Sequence, residues 1–148
     1  MRKASWILIM VAAALTLLGS LASLSTAYFT TQDQIGPVTL TDLADGRPEV
    51  AAAIRARRGT AASYAAGFSV LLLLLAWGPY RRGDRWAWWA ILIGTLTETL
   101  LVFMRIPFLQ TRAGTGTAAI QLAVIGVALA LDARRLRGHD DDGLARTI

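Results

Sequence analysis

Cysteine is absent from the 148 residues of this chain. Disulfides, thiolate nucleophiles and thiolate metal sites are therefore excluded. The chain also lacks a glycine-rich phosphate loop, the G-x-S-x-G nucleophile elbow and the H-E-x-x-H zinc motif. We accordingly expect no metal and no cofactor.

Charge is scarce in four long stretches, although 17% of all residues are charged. Hydrophobic residues make up 55% of the chain, and the mean hydropathy is +0.49. Apolar runs of such length suit helices that cross a bilayer. The predicted spans cover about 6–29, 61–78, 86–104 and 113–131.

These runs predict an all-α integral membrane protein. Residues 1–137 are expected to form a four-helix bundle, with a polar extracytoplasmic loop between its first two helices. Residues 138–148 are expected to form a disordered cytoplasmic tail. His139 lies there beside three aspartates, and we interpret this group as a solvated tail rather than a metal site.

The first run has two interpretations. It follows a basic N-terminus and continues from Trp6 to Phe29, 24 residues without a charge, so it can cross a bilayer. The basic start and the small residues at positions 25 and 27 also fit a signal peptide cleaved after residue 27. A span is favoured because a signal peptide usually has an apolar core of only about 7 to 15 residues.

The polar segment 30–60 carries four acidic residues and four arginines. Within it, residues 45–47 (Asp-Gly-Arg) predict a turn, and Pro48 with Glu49 predicts the start of a helix. We expect this helix to lead into the second span, with a helix lying on the membrane surface as the alternative.

Proline and tryptophan mark the ends of two spans. The second span is predicted to stop at Gly78 and Pro79, because proline lacks an amide proton and disfavours helix at the preceding residue. The third span opens with Trp86, Trp88 and Trp89, which we interpret as interfacial anchors at headgroup depth.

The basic residues predict the orientation of the spans. Nine Lys and Arg residues lie on the side that holds the two termini and the loop between the second and third spans, and six lie on the other side. The positive-inside rule then favours a multi-pass protein of the bacterial cytoplasmic membrane with both termini in the cytoplasm. Because these residues flank apolar runs instead of lining one groove, we expect no nucleic-acid partner. The nine are Arg2, Lys3, Arg81, Arg82, Arg85, Arg134, Arg135, Arg137 and Arg146; the six are Arg47, Arg55, Arg57, Arg58, Arg105 and Arg112.

Small residues spaced four apart predict close helix packing, which drives association where lipid surrounds the helices. The pattern does not distinguish packing within one chain from packing in a homo-oligomer or against other membrane proteins. The pairs are Gly19 with Ser23, Ala62 with Ala66, Ser63 with Gly67, and Gly126 with Ala130.

Glu98 is the only ionisable residue inside a predicted span. Burying a carboxylate in lipid is costly, so such a residue needs a partner or a function. Helical spacing places Thr95, Glu98 and Arg105 in one polar stripe, with Gln121 of the last span as a candidate partner. The favoured interpretation is a structural bond between helices. The alternative makes Glu98 an acid/base catalyst or a ligand anchor.

Residues 79–90 read Pro-Tyr-Arg-Arg-Gly-Asp-Arg-Trp-Ala-Trp-Trp-Ala. This stretch resembles a basic turn with tryptophans found in small uncharacterised bacterial four-helix membrane proteins. The layout of the chain also looks like that of EXPERA (sterol-isomerase-type) and DoxX-like proteins, a resemblance that implies ligand chemistry at intramembrane acidic groups. An isomerase of that kind would place several acidic and histidine residues in its spans, whereas here only Glu98 qualifies.

Three functions follow from these patterns. The favoured one is a small membrane scaffold or a protein that binds lipid or another apolar ligand, which is not an enzyme. The second is an intramembrane isomerase-like enzyme with Glu98 as its acid/base. The third is a small oligomeric transporter coupled to protons or cations through Glu98.

Overall fold

The computed structural model describes residues 2–30, 34–35, 38–110, 112 and 114–133, with the backbone alone described at 2, 3, 34, 35 and 109. The predicted tail 138–148, including His139, lies outside the described residues.

Helices dominate the described residues, so the predicted all-α class is confirmed. Four of the helices are long and apolar enough to cross a membrane. The segment between the first two of them contains a two-stranded antiparallel hairpin and a short helix, neither of which was predicted. The elements are α1 (Arg2–Phe29), β1 (Gln34–Ile35), β2 (Val38–Thr39), α2 (Leu40–Ala44), α3 (Pro48–Leu75), α4 (Arg85–Phe103), α5 (Arg105–Leu109) and α6 (Thr115–Asp132).

The helix that contains Pro79 does not stop there, so the predicted end at Gly78 and Pro79 is wrong. A π-helical turn, Ala76–Tyr80, continues α3. Pro79 cannot donate a backbone hydrogen bond, and the wider turn lets the amide of Arg81 reach the carbonyl of Ala76, five residues back. Helical backbone therefore extends beyond the proline.

The chain divides into two compact units, Ala14–Leu71 and a second unit made of Met1–Ala13 with Leu72–Ile148. The unit Ala14–Leu71 holds the polar segment. Its turn is confirmed, because Asp45 and Gly46 adopt positive φ angles of 48° and 71°. The predicted start of a helix at Pro48 is also confirmed. Thr39 and Asp42 form a capping box that begins α2.

Two contacts join α1 to α3 within this unit. The Arg58 Nε donates a hydrogen bond to the Ser23 Oγ at 3.2 Å. The ring of Tyr28 lies against Gly59, where an added Cβ would be 3.2 Å from the ring carbon Cε1. Gly59 therefore permits a close approach that a larger residue would hinder.

The other unit is centred on α4 and α6, which run antiparallel. Trp88 near the start of α4 contacts Leu129 near the end of α6, whereas Glu98 contacts Gln121 near its start. Apolar and small side chains fill the interface between these contacts. The buried residues of the two helices are Ala87, Trp88, Ile91, Thr95, Thr99, Ala118, Ile125, Ala128, Leu129 and Asp132.

Trp88 corrects one prediction about the tryptophan cluster. Its side chain is 9% exposed, and its indole Nε1 donates to the Leu129 carbonyl at 3.1 Å, so it is a packing residue and not an anchor facing lipid. Trp86 and Trp89 are 58% and 50% exposed. Interfacial anchoring therefore stays a prediction for these two residues of the cluster.

Three of the glycines that predicted close helix packing face open space. A Cβ added to Gly19, Gly67 or Gly126 would meet no atom within 4 Å. Large apolar side chains are also exposed on all four long helices, as Leu18, Leu74, Leu100 and Ile120 illustrate. Much of the apolar surface is therefore left for lipid or another protein to cover.

Candidate functional site

The candidate site lies between α4 and α6, where Glu98 and Gln121 meet. The Gln121 Nε2 donates a hydrogen bond to the Glu98 Oε2 at 3.0 Å, and the contact is partly buried. Counting about 1.5 Å per residue, Glu98 is roughly 18 Å along α4 from Trp86. The structure thus brings together two of the four residues of the predicted stripe, and it does so through helices that are separate in sequence.

Thr95 lies one helical turn before Glu98, on the face of α4 that packs against α6. Its side chain is 1% exposed. Its Oγ1 has no hydrogen-bond partner among the described residues. A buried hydroxyl without a partner is unfavourable, and this one adds a donor and an acceptor one helical turn from Glu98.

Arg105 is the member of the predicted stripe that lies beyond the end of α4. The α-helix breaks at Met104, and Arg105 begins the separate helix α5 with an exposed side chain. Its Nη1 would be 4.0 Å from a Cβ built on Gly114. Within the described part of the chain, no ion pair joins Arg105 to Glu98.

Pro107 explains the break. A continuous helix would need the amide of residue 107 to donate to the carbonyl of Phe103, and proline has no such amide. Met104 instead takes φ −60° and ψ −17°, close to the values of a 3₁₀ turn, and its amide contacts the carbonyls of Leu100 and Val102. The seven residues from Glu98 to Arg105 therefore include one irregular turn at Met104.

Asp132 is a polar residue of this interface that the sequence reading missed. Its side chain is 6% exposed and has an interaction partner. Helical periodicity could have predicted that Asp132 is buried, because it follows the buried Ile125 by seven residues and the buried Leu129 by three.

The described residues hold a further cavity and no metal cluster. No group of three or more His, Asp or Glu side chains that could hold a metal occurs in the described ranges. A cavity of about 170 Å³ lies in the polar segment, with a single charged side chain, Arg47, in its wall. Its remaining lining comprises Leu40, Thr41, Ala44, Gly46, Pro48 and Ala51.

The polar groups of the candidate site can hold two helices together or bind a small ligand. A carboxylate beside an amide and a hydroxyl can accept a hydrogen bond, receive a proton or coordinate a cation. No family model, curated protein or solved structure matches this chain, and the resemblance to EXPERA and DoxX-like proteins stays a prediction.

Proposed function

We propose that the chain is a multi-pass membrane protein that serves as a small lipid-facing scaffold. The observation that carries the proposal is the bond between Glu98 and Gln121. It engages the intramembrane carboxylate in holding α4 to α6, which is the structural interpretation favoured from the sequence. Helices in lipid gain little from the hydrophobic effect, so polar contacts of this kind help to hold them together.

Exposed apolar surface supports membrane insertion. Side chains such as Leu15, Leu71 and Leu101 are 64%, 59% and 61% exposed on three of the four long helices. Water would penalise such surfaces at about 25 cal/mol per Å², whereas hydrocarbon covers them without that cost. The positive-inside rule adds the proposal that the membrane is the bacterial cytoplasmic one, with both termini in the cytoplasm.

Substitution of the two bonded residues tests the scaffold. Glu98→Gln keeps an acceptor for Gln121, so we expect the free energy of unfolding in lipid–detergent micelles to be retained. Glu98→Ala removes the acceptor and should cost about 0.6 kcal/mol, and at most about 1.7 kcal/mol. The double variant Glu98→Leu with Gln121→Leu should be close to neutral, since neither polar group is then left unpaired.

Thr97 provides the matched control, because it is an exposed residue of the same helix. Thr97→Ala should leave the free energy of unfolding unchanged. If Glu98→Gln destabilises the protein as much as Glu98→Ala does, the carboxylate has a role beyond accepting this bond, and the scaffold proposal fails.

A second candidate function uses Glu98 chemically, and the buried Thr95 hydroxyl favours it. That hydroxyl, with no partner among the described side chains, offers a ligand a contact one turn from the carboxylate. Glu98 could then act as the acid/base of an isomerase-like enzyme or as the site of a proton- or cation-coupled transporter. In either case Glu98→Gln would keep stability and abolish turnover or pH-dependent flux into proteoliposomes.

A further inference from the structure

One arginine and two tryptophans form a cluster where α1 begins and the π-helical turn ends. The Arg81 Cζ is 5.1 Å from the centroid of the Trp6 ring and 4.8 Å from that of the Trp77 ring. The two rings meet edge to face, with centroids 5.8 Å apart and planes inclined at 76°. Arg81 is thus attracted to both indoles through cation–π contacts.

The N–H donors of Arg81 remain available in this arrangement. A cation–π contact needs no hydrogen-bond acceptor, so the five N–H groups of the guanidinium can still donate to a ligand. Asp84 is three residues away, yet among the described side chains the two indoles are the interactions of the Arg81 guanidinium. The neighbouring Arg82 is exposed and adds positive charge.

The cluster lies at the end of an apolar helix. Trp77 is 56% exposed and Arg81 is also exposed, and both fall in the last turns of the candidate span Pro48–Tyr80 or directly after it. Indole rings at such positions prefer the depth of the lipid headgroups. A planar guanidinium whose donors have no hydrogen-bond partner among the described residues suits, at that depth, a phosphate group, which it can bind through two parallel hydrogen bonds.

We propose that Trp6, Trp77 and Arg81 form a binding site for the phosphate of an anionic phospholipid headgroup. The proposal rests on the membrane insertion proposed above and adds a ligand to it. In the proposed orientation the cluster faces the cytoplasmic leaflet, where anionic lipids attract basic residues close to a span. The rings hold the guanidinium in place, so that less side-chain freedom is lost when phosphate binds.

Conservative variants separate specific binding by the guanidinium from the general attraction of a positive charge to an anionic surface. Lysine keeps the positive charge but loses the planar pair of donors and stacks less well on indole. Attraction to an anionic surface would survive Arg81→Lys and Arg82→Lys equally. Specific phosphate binding by the cluster would be weakened by Arg81→Lys and left intact by Arg82→Lys, because no ring contact to Arg82 occurs among the described residues.

The test uses the full chain in nanodiscs made of equimolar phosphatidylcholine and phosphatidylglycerol. Native mass spectrometry of the released protein measures the ratio of the two lipids that stay bound. We expect the wild type and Arg82→Lys to retain phosphatidylglycerol preferentially. Arg81→Lys should lower that preference about two- to fivefold, the worth of one exposed cation–π contact, and Trp77→Leu should act in the same direction.

Each contrary result has its own meaning. A wild type that enters nanodiscs but shows no preference for phosphatidylglycerol overturns the lipid site and leaves the membrane scaffold standing. A chain that fails to enter nanodiscs overturns both proposals. Equal preference for phosphatidylglycerol in Arg81→Lys and the wild type would show that the cluster attracts anionic lipid only by its charge. Displacement of the lipid by excess inorganic phosphate would show that the ligand of the cluster is a free anion.

Discussion

Trp88 and Trp89 are neighbours in the chain with opposite surroundings. Trp88 is buried and donates to the Leu129 carbonyl, whereas Trp89 is half exposed. The last carbonyls of a helix lack intrahelical donors, and the amide of Ala133 turns to Ala130 rather than to Leu129. The indole of Trp88 therefore satisfies a carbonyl at the end of α6.

Trp88→Phe tests this role at the scale of one hydrogen bond. The substitution leaves the Leu129 carbonyl buried without its donor, which should destabilise the protein by about 1–3 kcal/mol. Trp89→Phe is the control and should change stability by less than about 0.5 kcal/mol. Unfolding of both variants in mixed micelles measures the difference, and equal stabilities would contradict the assignment.

Single residues also show how far the sequence could predict the site. Glu98 stood out because it was the one ionisable residue in a predicted span, and Gln121 followed as a polar residue on the next span. Asp132 and Trp88 did not stand out, since aspartate at a helix end and tryptophan near an interface are ordinary positions. Which of these groups is buried depends on the packing of α4 against α6, and composition does not report packing.

At the scale of the helix, Gly59 and Gly67 occupy different environments in α3. Gly59 faces the Tyr28 ring, and Gly67 faces open space. Replacing glycine by alanine inside a helix gains about 0.5–1 kcal/mol when nothing obstructs the new methyl group. Gly67→Ala should gain this amount in the free energy of unfolding.

Gly59→Ala should gain less, because its methyl group would be 3.2 Å from the ring and Tyr28 must shift to make room. Measuring both variants in the same micelles compares the two sites directly. A gain at Gly59 as large as that at Gly67 would show that α1 and α3 do not meet closely at Tyr28.

The elements themselves were largely predictable, since four apolar runs of membrane length became four long helices. The backbone conformation around the two prolines within them was not predictable. The sequence rule treats Pro79 as a stop and ignores Pro107, whereas the chain absorbs the first in a π-helical turn and breaks at Met104 before the second. The rule states which hydrogen bond is lost, and the response depends on which carbonyls and amides are close enough to form a new one.

At the scale of the whole molecule, the absence of cysteine makes the topology directly testable. The exposed residues Thr41 and Arg82 lie in segments predicted on opposite sides of the membrane. A membrane-impermeant maleimide should label Thr41→Cys in intact bacteria, and it should label Arg82→Cys only after permeabilisation.

The cysteine-free wild type is the background control for this experiment. Labelling of Arg82→Cys alone in intact cells would invert the proposed orientation. Equal labelling of both variants without permeabilisation would argue against the chain crossing the membrane between them.

The π-helical turn also sets the rotational phase of the chain beyond it. Leu72, Ala76 and Tyr80 are all buried, although eight residues amount to about 2.2 turns of a regular α-helix, which would swing Tyr80 away from Leu72 by roughly a fifth of a turn. The wider turn takes up that excess and returns Tyr80 to the inner face. The π-helical turn around Pro79 therefore corrects the rotation of the helix. It also sets the direction in which Arg81 and Arg82, which follow it, project.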